Sequence, residues 1–370
     1  MKKLKVRVCG WRELNEQQIS AWDALEGRAL NQNIYLSPHF VLPALKYLEH
    51  SDDVIAICIE EQDSIGNKLF GFGLFEPVSG TRRFPLAHLR ALRTRHSYET
   101  GLLLDPEHAE KVVDTFLRWC FSPSFPWHGI EFSLWPSGSA CDALLQDGCR
   151  TYRAPWIELR RTQRAILYPA QAGEDYIQNY LSANRRKDLR RKGRRLSELG
   201  TVTWTAYTGS NVDGNCVQRF LDLEHAGWKG EQQTALKSHA GNEQFFREMV
   251  RGFSDAGRAV FTELRVANCV ISSTSNIIAG HAGFAFKLGW HPDYARMSPS
   301  ILNELEIIRN SPQLFSTLDY LDSGANEGSF MDKLWVHRRT LAHVVIPTSL
   351  PGRLILNAYS MARNIKRQLY

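Results

Sequence analysis

No cysteine pair of the C-x-x-C type occurs in this chain. Its seven cysteines, Cys9, Cys58, Cys120, Cys141, Cys149, Cys216 and Cys269, keep no metal-ligand spacing with histidine. That pattern argues against a structural zinc site and a secreted disulfide framework, so no metal is expected. Long apolar runs are missing too, with nothing near the roughly 18–20 residues needed to cross a bilayer. The start, Met1-Lys2-Lys3-Leu4-Lys5-Val6-Arg7-Val8-Cys9, alternates charge with apolar residues instead of building a secretory core. A cytoplasmic location is expected. Gly71-Phe72-Gly73 lacks the third glycine of a dinucleotide fingerprint, and Pro136-Ser137-Gly138-Ser139 is not a nucleophile elbow.

What is present suffices for a full core. A chain of 370 residues, 43% hydrophobic and 23% charged, fits two domains better than one. Its net charge of +6 is local. Arg185, Arg186, Lys187, Arg190, Arg191, Lys192, Arg194 and Arg195 against Asp188 make one segment +7, which leaves the remainder at −1. Three readings fit this run: a solvated helix lying on the protein through Leu181, Leu189 and Leu196, a contact for the phosphates of a cofactor or substrate, or an RNA surface.

Periodicity divides the chain into two similar series of mixed α/β elements. In the first half, helices are expected near Glu13 to Leu25, to about His50, and at Pro106 to Cys120. Strands are expected at Asp53 to Glu60, Leu69 to Glu76 and His128 to Trp135. The second half has one helix from about Asp175 through the basic run to Leu199, a strand at Val202 to Tyr207, and helices ending near Glu224 and Ala256. It continues with strands at Ala259 to Val266 and Ile277 to Trp290, then a helix from Ile301 to Arg309 with Ser298 as N-cap and Pro299 as first residue. The expected domains are 1–165 and 166–350, with a helical tail at 351–370.

Three stretches carry chemistry. Glu224-His225-Ala226-Gly227-Trp228-Lys229-Gly230, where a helix runs out, offers an acid, an indole and a lysine. Its plain reading is a helix cap, with Gly227 or Gly230 left-handed and Trp228 in the core. Arg296-Met297-Ser298-Pro299-Ser300 opens a helix, where unpaired N–H groups and Arg296 suit an anion such as pyrophosphate. Asp322-Ser323-Gly324-Ala325 through Asp332 and Trp335 is a small-residue loop in which either aspartate would orient an amine or accept its proton; the plain alternative is a turn with Trp335 buried.

Taken in order, Leu223-Glu224-x-x-Gly227-Trp228-Lys229-Gly230 with Thr234-Ala235-Leu236, Tyr294-Ala295-Arg296-x-Ser298-Pro299, and Asp322-Ser323-x-Ala325 with Asp332-x-Leu334-Trp335 resemble the GNAT-fold acyltransferases of the CelD-like or BioF2-like group. The resemblance is specific over about 175–345 and looser around Arg95-His96-Ser97-Tyr98. It implies two tandem GNAT-like domains, similar in arrangement to the Fem-type aminoacyl transferases. It also implies direct transfer of an acyl group from an acyl-CoA, acetyl-CoA first, to an amine or hydroxyl of a sugar, lipid precursor or other metabolite, as in polysaccharide biosynthesis. Glu224 would be the base, with Asp322 as substitute. Trp228, Lys229, His96, Tyr98, Asp332 and Trp335 would line the acceptor site, and Arg296, Ser298 and Ser300 would hold the cofactor. Three departures stand out: Ser300 where the family has glycine, Gly324 where it often has cysteine, and Gly328 where it often has histidine. The alternatives are a transferase using aminoacyl-tRNA and a catalytically inactive binding module.

Overall fold

The computed structural model describes residues 3–48, 53–63 and 66–358. It has strands β1 (Leu4–Gly10), β2 (Ile55–Asp63), β3 (Gly66–Val78), β4 (His88–Ala91), β5 (Leu103–Leu104), β6 (Gly129–Ser137), β7 (Ile157–Leu167), β8 (Val202–Thr208), β9 (Ala259–Val266), β10 (Cys269–Ala279), β11 (Ala282–Trp290), β12 (Tyr320–Asp322) and β13 (His337–Pro347). Its helices are α1 (Glu16–Glu26), α2 (Pro38–Tyr47), α3 (Ala109–Cys120), α4 (Ala140–Thr151), α5 (Glu174–Tyr180), α6 (Ala183–Ser197), α7 (Gly214–Ala226), α8 (Trp228–Glu231), α9 (Ala240–Asp255) and α10 (Pro299–Leu314). Contacts divide the chain into two units. One comprises Met1–Pro38, His50–Thr162 and Thr340–Tyr370; the other comprises His39–Glu49 and Gln163–Arg339.

The first unit has an antiparallel run β1-β2-β3-β4, a parallel pair β4-β6, and β13 antiparallel to β6. Helix α3 presents Val112, Val113, Phe116, Leu117 and Cys120 at helical spacing to this sheet, and all are buried. It comes so close that a Cβ on Gly71 would lie 2.4 Å from Val112. Packing thus accounts for the first glycine of Gly71-Phe72-Gly73. Asn15 caps α1 by accepting the Gln18 N–H at 3.0 Å, and the Gln18 side chain returns the bond. Ser64 and Ile65, between β2 and β3 in the chain, and the tail beyond 358 lie outside the described residues; 350–358 are helical, with Leu356 buried against Phe84.

The second unit repeats the pattern: antiparallel β8-β9-β10-β11, a parallel pair β11-β12, and the end of β7 antiparallel to β12. The closing strands are therefore crossed in sequence. β7 follows β6 and α4 but closes the second sheet, whereas β13 follows β12 but closes the first. Helix α2 belongs to the second unit despite its early position. Phe40 is fully buried edge-on to Phe245 at 5.2 Å, and Tyr47 donates to Glu248 at 2.6 Å.

Two expectations need correction. The basic helix does not run unbroken from Asp175. Leu181 is extended, Ser182 starts a new helix by accepting the Arg185 N–H, and Arg186 donates to the carbonyls of Gln178 and Leu181 at the end of α5. The strand expected at Ile277 to Trp290 is a hairpin of two strands turning at Gly280, whose φ is +50°. The first of these begins at Cys269 and passes through Ser272-Ser273-Thr274-Ser275-Asn276, all buried. Such a polar segment is buried because it is bonded inside: Thr262 meets Thr274 at 2.7 Å and donates to Asn303 Oδ1, which also accepts from the Trp204 indole.

Candidate active site

The parallel pair fixes where ligand chemistry can occur. The β11–β12 ladder joins only Ala282–Phe284 with Tyr320–Asp322, although β11 continues to Trp290. Helix α10 is the crossover between them, so its N-terminus and the carboxyl ends of both strands share one end of the sheet. In open α/β sheets that end is where ligands bind. Lys229 bonds β11 near its carboxyl end, Ser298 immediately precedes α10, and Asp322 is the last residue of β12.

Glu224 reaches it from the last turn of α7. Its carboxylate is buried; Oε1 accepts from Lys229 Nζ at 3.1 Å and Oε2 accepts the Leu236 N–H at 2.8 Å. Lys229 Nζ also donates to the Leu288 carbonyl of β11 at 3.0 Å. Burial lowers the Lys229 pKa, and the charge of Glu224 opposes that shift. The helix end can press on β11 because position 289 is glycine: a Cβ there would lie 2.7 Å from the Glu224 nitrogen. Gly227 has φ −90°, and Gly230 is not left-handed; a Cβ on Gly230 would sit 1.9 Å from the His225 carbonyl. Close approach, not a left-handed cap, therefore demands Gly230. The Trp228 side chain lies outside the described residues.

Ser298 precedes α10 in the left-handed region, φ 52°, and its hydroxyl makes no cap bond. It instead accepts from Lys192 Nζ at 3.0 Å. Ser298 is thus the N-cap residue expected, with Pro299 first in the helix, but its side chain does not do the capping. The Ile301 and Leu302 N–H groups turn back to the Ser298 carbonyl, at 3.0 and 3.2 Å, and Pro299 has no N–H. Ser300 is then the first-turn residue that has both an N–H and a hydroxyl to offer. Arg296 is exposed beside it. Lys192 is one of eight basic residues between Arg185 and Arg195, and no sequence signal separates it from the other seven.

Asp322 ends β12, almost fully buried. Oδ1 accepts the Gly324 N–H at 2.7 Å and lies 3.7 Å from Arg164, while Oδ2 accepts from Arg339 at 3.0 Å. Asp332 accepts the Gly328 N–H at 2.6 Å, and Trp335 is 1% exposed within the core. Gly324 and Gly328 both have positive φ, 62° and 85°, which a cysteine or histidine would adopt only with strain. His96 and Tyr98 lie in the first unit: His96 is buried with its N–H on Thr94 Oγ1 at 3.1 Å, and Tyr98 packs edge-on to Tyr35 at 5.7 Å.

Residues 183–328, which include α6, Glu224, Lys229 and Ser298 to Asp322, match the family model described as the acetyltransferase (GNAT) domain. Over these residues the second unit is similar to that GNAT domain. No curated protein has a matching sequence. Among solved structures, the GNAT-like pair of units is similar to the C-terminal domain (DUF2156) of a protein described as a lysylphosphatidylglycerol synthetase from Agrobacterium fabrum. The two chains are 12% identical over 93% of this chain and 96% of that one, with a TM-score of 0.55. FemX is 10% identical over 95% and 100%, with a TM-score of 0.54. L-PGS from Bacillus licheniformis is 10% identical over 94% and 96%, with a TM-score of 0.50. At these identities the likeness is one of fold: two tandem GNAT-like domains of mixed α/β type.

Proposed function

We propose that this protein transfers an acyl group from an acyl-CoA to an amine or hydroxyl of a small acceptor. The observation that supports the reading is that Lys229 bonds the Leu288 carbonyl near the carboxyl end of β11, the strand from which α10 crosses over to the parallel β12. The donor set at α10 suits a pyrophosphate: the Lys192 and Arg296 cations, the Ser298 and Ser300 hydroxyls, and the Ser300 N–H. Ser300 replaces the family's glycine with a residue that keeps the N–H and adds a hydroxyl. The acyl-CoA supplies the activated thioester carbon.

Of the two buried carboxylates, Glu224 is the better proton acceptor. An ionised carboxylate takes about four hydrogen bonds, and Glu224 receives two; Asp322 is held between two guanidinium groups. Lys229 has three N–H donors and spends two, on Glu224 and Leu288, which leaves one for the acyl carbonyl. His96, Tyr98, Trp228, Asp332 and Trp335 stay proposals for the acceptor side. The acceptor class, a sugar or lipid precursor, rests on the family resemblance.

Calorimetric titration with acetyl-CoA and longer acyl-CoAs, followed by thiol release with a panel of amines, tests the reading. Saturable binding and acceptor-dependent release are expected. A protein that binds none of these thioesters is not an acyl-CoA transferase. An aminoacyl-tRNA donor would instead need α6 for its phosphates, and tRNA binding that survives Arg190→Glu with Arg194→Glu removes that reading.

A further inference from the structure

Between α5, α6, α10 and strands β8 and β9 lies a cleft of about 230 Å³ that the acyl-transfer reading does not use. Its walls are aliphatic, with Ile177, Leu181, Leu189, Leu196, Leu264 and Leu305 among them. Gly193 of α6 also lines it, and a Cβ built there meets nothing within 4 Å. Glycine inside a helix costs about 1 kcal/mol relative to alanine, yet neither a close neighbour nor a positive φ requires it at this position. What the missing side chain does is leave the cleft open on the α6 side.

The rim and the helix surface are cationic. Arg186 and Arg190 border the opening; the third arginine there, Arg309, is neutralised by Glu174 at 2.9 Å and Glu306 at 2.5 Å. Lys187, Arg190, Arg191, Arg194 and Arg195 face solvent along α6. Large apolar side chains stand exposed at both ends of this helix: Tyr180, 50% exposed, just before it, and Leu199, 58% exposed, just after it. A basic helix flanked by exposed apolar groups, beside an aliphatic cleft, has the chemistry of an anionic lipid surface.

We infer that α6 and this cleft form a membrane-docking site for anionic phospholipid, with phosphates along the α6 arginines and a segment of one acyl chain beside Gly193. The volume is below the roughly 300–1,000 Å³ of whole-ligand pockets, which suits a length of hydrocarbon and not a complete headgroup-bearing molecule. RNA would satisfy the arginines equally well but leaves the aliphatic walls, Tyr180 and Leu199 without a role. Lys192 of α6, assigned above to the donor pyrophosphate, does not line the cleft, and none of the residues varied in the test belongs to the acyl-transfer set.

The full chain is floated with vesicles of phosphatidylcholine alone and of phosphatidylcholine mixed with phosphatidylglycerol. Binding is expected to the anionic vesicles only, and Arg190→Ala and Arg194→Ala should each weaken it about fivefold. Gly193→Leu keeps every charge and fills the cleft, so it should weaken binding at least as much, whereas Gly193→Ala stays near the native value. A phosphatidylglycerol carrying a photoreactive group in its acyl chain should label peptides of α6 and α10 in the unsubstituted protein, a result independent of how Gly193→Leu folds. Equal binding to both vesicle types, labelling confined to other segments, or a folded Gly193→Leu with native affinity overturns the inference. So does an RNA oligonucleotide that strips the protein from vesicles and binds Gly193→Leu as tightly as the native chain.

Discussion

Glu224 and Lys229 are bonded at 3.1 Å, five residues apart across the end of α7, and each is tied to a further backbone group: Glu224 to the Leu236 N–H, Lys229 to the Leu288 carbonyl. The pair therefore joins the loop after α7 to strand β11. Glu224→Ala leaves the half-buried Lys229 ammonium without its counter-charge and should lower stability by about 2 kcal/mol, read by denaturant unfolding. Glu224→Gln keeps the bond to Leu236, so it should cost less stability while reducing kcat by at least tenfold with acyl-CoA affinity retained. A variant with native turnover removes Glu224 as proton acceptor.

Lys192 and Arg296 should contribute to donor affinity through charge. Lys192→Ala and Arg296→Ala are each expected to raise the acyl-CoA Kd about fivefold, equivalent to roughly 1 kcal/mol, with a weaker dependence on salt than the native protein. Calorimetry at two ionic strengths checks both. The same Kd for dephosphorylated and intact donor fragments would argue against a phosphate contact.

Glu304 is buried on α10, and burial pushes its carboxyl up to about 8 from an ordinary 4.5. Its stabilising, protonated form is fully present below 4.5, and stability falls as pH rises from there through about 8. Glu304→Gln should flatten this dependence, raising Tm by several degrees at pH 8.5 and little at pH 4.5. Thermal unfolding across that range is the measurement, and parallel curves for both proteins would contradict it.

Glu131 of β6 shows the opposite sign. It receives His88 Nε2 from β4 at 2.7 Å and His343 Nε2 from β13 at 2.5 Å, with His343 placed at a bulge in β13. Burial alone pushes its carboxyl up, but the bonds from His343 and His88 outweigh that and hold it at about 2. Stability from this group is present above 4.5 and lost as pH falls toward 2. Glu131→Gln should therefore destabilise the protein at pH 7, by about 2 kcal/mol, and remove part of its acid sensitivity, seen as converging unfolding curves near pH 3.

The crossed closing strands predict how the chain can be cut. A fragment of residues 1–165 lacks β13 and so loses Ala342, Val344 and Ile346 from the buried core of the first unit. It should lack cooperative unfolding, and addition of a 337–350 peptide should restore some. A 1–165 fragment with a sharp thermal transition would show that β13 is dispensable.

Strands such as β2 and β9 were legible in the sequence because short runs of apolar and β-branched residues bounded by polar turns report a buried strand. Helix α3, with its apolar face, was legible for the corresponding reason. The break at Leu181-Ser182 was not, since Ile177, Leu181, Leu189 and Leu196 fall on one helical face across it. Nor was the first half of β10, because serine, threonine and asparagine signal a loop unless their partners Thr262 and Asn303 are known.

Local sequence, then, determined the strongly periodic elements and the family resemblance, because periodicity and motif order are properties of neighbours along the chain. Only the tertiary structure decided that Gly230 and Gly289 serve close approach, that Lys192 meets Ser298, that Gly193 opens a cleft, and that β7 and β13 close sheets far from their sequence neighbours. Each of these is a contact between segments many residues apart. Such contacts depend on which surfaces pack together, and no single window of sequence contains both sides.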